Sequence, residues 1–297
     1  MDTLLSKKIE WLHTLKKNIP FFLKKIQSKK YGFFSYSLSG DIYDEKNKWG
    51  LGNTVFAIKI YYTLGLLDNL PKKEKRILSD FIKSFQNTDG SFHDPIIKNG
   101  LFLANIISSF KGLESYKNQI IRAETRQSLS ALKLLNEKPI LEYQNFPQTE
   151  KDILNYIEKL DWKKPWGAGS HFSHLLFFLH NSNLKNKNKL IDFSINQINR
   201  IQNSRDGSWY KGKPNPQQKI NGAMKIITGL VAAEKYSFNY SKKLIDLCLS
   251  EKNNRHACDN FNIVYVLKYA NAINKSNYRY DEIVDFCYNR LETYHNY

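Results

Sequence analysis

Cysteine is scarce in this chain. Cys248, Cys258 and Cys287 are the only three among 297 residues. The number is odd, the spacing is wide and no CxxC pair occurs, which excludes a disulfide framework and fits a reducing compartment. Glycine (14) and proline (8) are also few, which disfavours an all-β fold full of tight turns. No uninterrupted apolar run reaches the length of a membrane span. The opening stretch, MDTLLSKKIEWLHTLKK, is broken by charge too early to hold the apolar core of a signal peptide. Acidic residues are outnumbered, 28 against 45 Lys and Arg, for a net charge of +17. The lysines are scattered, with no basic block interleaved with aromatics and no zinc-finger or RRM-type signature, so no specific nucleic-acid partner is expected. A diffuse positive charge suits an anionic small molecule. These readings predict a soluble, cytoplasmic protein without a transmembrane segment.

What the chain does have is aromatic and helical. It carries 18 Tyr and 18 Phe. The run VFAIKIYYTLGLL over 55–67 is apolar nearly all round, as in a buried helix, and so are 128–135, 172–179, 226–233 and 263–270. Between them lie segments with a narrower apolar stripe: KEKRILSDFIKSFQ, EKDILNYIEKLDW, NKLIDFSINQINRIQ and SKKLIDLCLSE. In the first of these the apolar residues fall at 77, 78, 81, 82 and 85, a helical period. Amphipathic helices alternating with wholly apolar ones predict an all-α fold. The alternation predicts an inner ring of helices covered by an outer ring, an α/α toroid of five to six hairpins. A bare α-solenoid gives a related pattern. No linker is evident, so 1–297 reads as one domain, with a helical insertion near 94–118. Inner helices are predicted to begin near Trp49, Ile121, Trp166, Ile220 and Ala257, and YDEIVDFCYNRLETYHNY forms a closing helix.

One turn is written three times: Gln27 with Gly32-Phe33-Phe34, Gln86 with Gly90-Ser91-Phe92, and Gln202 with Gly207-Ser208-Trp209. The first two glutamines are 59 residues apart (27 to 86) and the last two 116 (86 to 202), close to one unit and two. DWKKPWGAG is a degenerate copy in the gap. The glycine allows a left-handed backbone, the aromatic can pack under the next unit, and the glutamine can satisfy orphan carbonyls at the end of the outer helix.

The turns QNTDGSF and QNSRDGSWYKG resemble the glutamine–tryptophan repeats of squalene/terpenoid cyclases and of protein prenyltransferase β subunits. The resemblance covers most of the chain as architecture. It implies an active site in a central cavity, at the end lined by the starts of the inner helices. The family's catalytic strings are missing. There is no DxDD and no DDxxD, and the nearest string is Asp41-Ile-Tyr-Asp44-Glu45. The prenyltransferase zinc pattern of an aspartate, then a cysteine two residues later, is replaced by adjacent Cys258-Asp259 in reversed order.

Five groups of polar residues fall at the predicted inner-helix starts, where helix dipoles favour anions. Asn53 and Thr54 open the first, as substrate contacts or as an ordinary cap. Arg122, Glu124, Arg126 and Gln127 open the second. There a carboxylate beside two guanidiniums is expected to stay ionised and to orient a substrate or act as base; interhelix salt bridges are the structural alternative. His171 and His174 share one face of the third as acid, base or metal ligands, or as a buried hydrogen-bonded pair. Gly167 and Gly169 beside them would let a substrate approach the backbone. His180, at the far end, reads as structural. Asn221, Gly222 and Lys225 open the fourth, as ligand contacts or as a cap with close packing. His256, Cys258, Asp259, Asn260 and Asn262 open the fifth, with Asp259 the best single candidate for a general base and N-capping the alternative. The predicted catalytic set is therefore Asp259, His171, His174 and Glu124. Substrate contacts are predicted from Arg122, Arg126, Gln127, Asn53, Asn221 and Asn262. No cofactor is predicted, zinc at Cys258, Asp259 and His171 or His174 being the one metal arrangement open. The substrate is expected to be an isoprenoid or other largely apolar molecule, or alternatively a polar anionic one such as a saccharide; a non-catalytic binding or scaffold ring is the third reading.

Overall fold

The computed structural model describes residues 2–27, 32–39, 50–98, 115–251, 256–274 and 277–295. Among them are eleven α-helices and no strand, so the fold is all-α. The chain falls into two compact units, Met1–Asn145 and Phe146–Tyr297. Most of the insertion expected near 94–118, like Asp41, Asp44 and Glu45, lies outside the described residues. None of the described helices is long and apolar enough to cross a membrane.

The first unit holds α1 (Asp2–Ile26), α2 (Leu51–Thr63), α3 (Lys72–Lys83) and α4 (Tyr116–Leu134). In α3 the helical period works as expected: Leu78 and Ile82 are fully buried while Lys72, Lys73 and Arg76 face solvent. Helix α2 packs against α3 and α4, burying Leu51, Val55, Ala57 and Ile58. It departs from the expected all-round burial, because Phe56 (57%) and Tyr62 (59%) remain exposed. Its neighbours among the described helices cover one side of it only.

The second unit holds α5 (Glu150–Lys159), α6 (Pro165–Asn181), α7 (Lys187–Asn199), α8 (Pro216–Ala232), α9 (Ser241–Ser250), α10 (Ala257–Asn274) and α11 (Tyr280–His295). The predicted starts are met within a few residues, and local chemistry accounts for them. Thr149 caps α5 by accepting from the Asp152 amide at 3.1 Å. Asn215 caps α8, with Pro216 pre-set in the first helical turn. The apolar helices α6, α8 and α10 pack in sequence, α6 on α8 and α8 on α10, while the amphipathic α5 packs on α7. Each of the amphipathic helices α7 and α9 in turn packs on an apolar one, α7 on α6 and α9 on α10. Contact between α6 and α8 is close because glycines line it. A Cβ on Gly169 would stand 2.7 Å from the Gly222 carbonyl oxygen, and one on Gly229 2.8 Å from Ser173 Cα. Gly169 thus serves helix packing and not the approach of a substrate.

All three repeated turns close in the same way. A single antiparallel bridge joins Gln27 to Phe34, Gln86 to Phe92 and Gln202 to Trp209, and each of these aromatics is buried. Gly90 (φ +80°) and Gly207 (φ +74°) take the left-handed backbone. Each also abuts the segment that follows the next apolar helix. A Cβ on Gly90 would meet Glu142 O at 2.3 Å, and one on Gly207 would meet Tyr240 O at 2.6 Å. In both turns an aspartate accepts from the serine two residues on: Asp89 Oδ1 from Ser91 N (3.0 Å) and Oγ (2.6 Å), Asp206 Oδ1 from Ser208 N (3.1 Å) and Oγ (2.7 Å).

The glutamines act differently from expectation. Gln86 Nε2 donates to Gly90 O (3.0 Å) and Leu141 O (2.7 Å), and Gln202 Nε2 to Gly207 O (2.8 Å) and Asn239 O (2.7 Å). Gln86 Oε1 accepts in return from Ile140 N (2.8 Å) and Leu141 N (3.1 Å). These bonds tie the turn to the segment beyond the following apolar helix, not to the end of the amphipathic helix before it. Trp209 then packs edge-on against Phe238 at 5.6 Å, under the next helical pair as expected. In the degenerate copy Trp162 is buried and donates to Ile157 O at 2.9 Å.

Gly90→Ala and Gly207→Ala should each destabilise the protein by about 1–3 kcal/mol, since both φ and space oppose a side chain. Gly167→Ala, in α6 with nothing near its Cβ position, should stabilise by about 0.5–1 kcal/mol. Urea unfolding of the three variants checks this, and equal midpoints for all three would contradict it.

Candidate functional site

In the first unit the second repeated turn delivers a carboxyl group to the start of α2. Phe92 N donates to Thr125 Oγ1 on α4 at 3.0 Å, which seats the turn against that helix. Two residues on, the buried Asp94 carboxylate accepts from Gly50 N (3.3 Å) and Leu51 N (3.2 Å), and the Asp94 amide donates to Glu124 Oε2 at 3.0 Å. Burial pushes Asp94 up to about 7. Burial also pushes Glu124 up to about 7, and the Asp94 charge adds to it. The expectation of an ionised Glu124 held by guanidiniums is thus corrected: the charge that acts on it is a second carboxylate.

Further along the same two helices, Lys59 of α2 donates to Gln127 Oε1 of α4, and Arg126 Nη1 approaches the same oxygen at 3.4 Å. Burial, then the Arg126 charge, pushes Lys59 down to about 7. Arg122, also on α4, is buried. Asn53 and Thr54 are structural ties: Asn53 Nδ2 donates to Phe34 O (3.0 Å) and Thr54 Oγ1 to Gly32 O (2.6 Å), joining α2 to the first repeated turn.

In the second unit Asn221, Asp259 and Asn262 come together between α8 and α10. Asn221 Oδ1 accepts from Gln217 Nε2 (2.8 Å) and Asn262 Nδ2 (2.9 Å), and Asn221 Nδ2 donates to Asp259 Oδ1 (2.9 Å). Gly222 packs against Pro165. His171 and His174 stand edge-on with ring centroids 6.0 Å apart, and the His171 carbonyl accepts from Tyr156 OH at 3.2 Å. His180 lies 3.8 Å from Glu234. His256 and Cys258 are exposed. Among the described residues no three His, Cys, Asp or Glu side chains gather as metal ligands, so the zinc set of Cys258, Asp259 and His171 or His174 is not assembled.

Sequence reasoning does not single out Asp94 or Lys59. Asp94 directly follows the Phe92-His93 pair of the turn, and Lys59 is the single charge inside VFAIKIYY. No protein-family model matches the chain, and neither a curated protein nor a solved structure matches it.

The raised carboxyl groups bind more protons folded than unfolded between their ordinary values of 3.8 and 4.5 and about 7. Their contribution to stability therefore falls as pH rises through that window. Lys59 acts in the opposite sense: it binds fewer protons folded between about 7 and 10.5, so its contribution rises with pH there. Denaturation across pH should show Glu124→Gln flattening the acid limb and Lys59→Met the alkaline limb; profiles parallel to wild type would contradict the assignments. Asn221→Ala should cost about 1–3 kcal/mol in urea unfolding, because it strips partners from buried polar groups.

Proposed function

We propose that the chain is an enzyme of an α/α-toroid type, working by general acid–base chemistry where the second repeated turn meets α2 and α4, on an anionic small molecule. The observation that carries this reading is the pair Asp94 and Glu124, both pushed to about 7. Two carboxyl groups poised there, the residues joined through the Asp94 amide at 3.0 Å, would supply a proton donor and a proton acceptor at neutral pH. Lys59, Arg126 and Gln127 lie on the same two helices and supply cationic and polar contacts. A saccharide bearing carboxylates fits such a set, by hydrolysis or by elimination.

A second reading, isoprenoid cyclisation, draws support from α10. Phe261, Tyr265 and Tyr269 follow at helical spacing, with centroids 5.9 and 4.8 Å apart, on the helix that carries Asp259. Aromatic faces stabilise cations.

Incubation with uronate-containing oligosaccharides, read for new reducing ends and for the ultraviolet absorbance of an unsaturated product, tests the first reading. Prenyl diphosphates in parallel test the second. Turnover of the acidic saccharide should fall about 10²–10⁴-fold in Glu124→Gln. Unchanged turnover in that variant, or turnover of prenyl diphosphates alone, overturns the saccharide reading.

A further inference from the structure

Lys59 adds a different chemistry to this site. Its amine and the Arg126 guanidinium converge on one acceptor, Gln127 Oε1, and Arg126 is the charge that acts on it. Its Nζ lies 5.7 Å from the ring centroid of Phe56. Phe56 and Ile60, beside it on α2, are exposed, and Lys59 itself is half-buried. A lysine crowded by a second cation and withdrawn from water loses its proton readily, and its lone pair becomes a nucleophile. One N–H then serves Gln127 while the lone pair stays available.

We propose that Lys59 is a nucleophilic amine that captures a carbonyl compound bearing an anionic group, with Arg126 binding the anion. The lone pair attacks the carbonyl carbon, the C–N bond forms and the carbonyl oxygen takes a proton. Loss of that oxygen as water leaves an imine. No oxidant or reductant is needed. The inference shares its site with the acid–base reading, but its test reads covalent labelling and not turnover, so the two fail separately.

The folded protein is treated at neutral pH with glyoxylate and cyanoborohydride, which reduces any imine to a stable secondary amine, and labelled lysines are mapped by peptide mass spectrometry. An ordinary lysine is neutral in roughly one part in a thousand or less at that pH. Lys59 should therefore be labelled at least about tenfold faster than the median lysine. Arg126→Met should reduce that preference, as should unfolding in urea, and propanal, which lacks the carboxylate, should show less of it. Labelling of Lys59 at or below the median in the folded protein overturns the proposal. Equal preference for propanal and glyoxylate overturns the role of Arg126 as an anion contact.

Discussion

A glycine pressed against the backbone beyond the next apolar helix is the constraint on which the rest depends. At Gly90 and Gly207 there is no room for a side chain and the backbone is left-handed. The glutamine then locks the turn by donating across to Leu141 O or Asn239 O. Once the turn is fixed, its aromatic is buried and the residues after it have a set course. In the second turn that course brings Asp94 to the α2 amides and to Glu124. In the third, Asp206 Oδ2 accepts from Lys219 Nζ of α8 (2.9 Å) and Tyr210 OH (3.0 Å), which pins the first turn of that helix. The repeat builds the fold and, in doing so, registers the starts of the apolar helices.

Burial then sets the electrostatics. Asp94 and Glu124 are drawn up and Lys59 down toward the same region, each by desolvation first. Their combined contribution to stability is least near neutral pH, where acid and base strength are most useful. A set of groups selected for stability alone would be expected to sit in the opposite way, with carboxylates paired to cations and held low.

The periodic elements are legible in the sequence because periodicity is local: the stripe of α3 and the starts of α6, α8 and α10 follow from apolar spacing and turn residues. The glycines of the repeat are legible because a left-handed turn restricts residue type. The protonation of Glu124 is not, because its shift comes first from burial and then from Asp94, thirty positions away (94 to 124) and brought beside it only by folding. Lys59 gives no signal because a lone lysine in an apolar run has no pattern of its own. The exposed side of α2 is hidden for another reason: composition records what a face is made of, not whether a neighbour covers it.

The two units treat polar groups at apolar-helix starts in contrasting ways. Around Asp259, neutral amides satisfy one another: Gln217, Asn221 and Asn262 interlock, and the carboxylate takes one of their N–H groups. Such a network specifies how α8 meets α10 and holds its carboxylate with donors that do not titrate. Among the described residues, Asp94 accepts through long contacts of 3.2–3.4 Å to backbone amides, and Glu124 accepts one amide at 3.0 Å. Burial pushes both carboxyl groups up, and these bonds only partly offset it. Burial, the first cause of the raised values of Asp94 and Glu124, is why the acid–base chemistry is proposed for the first unit.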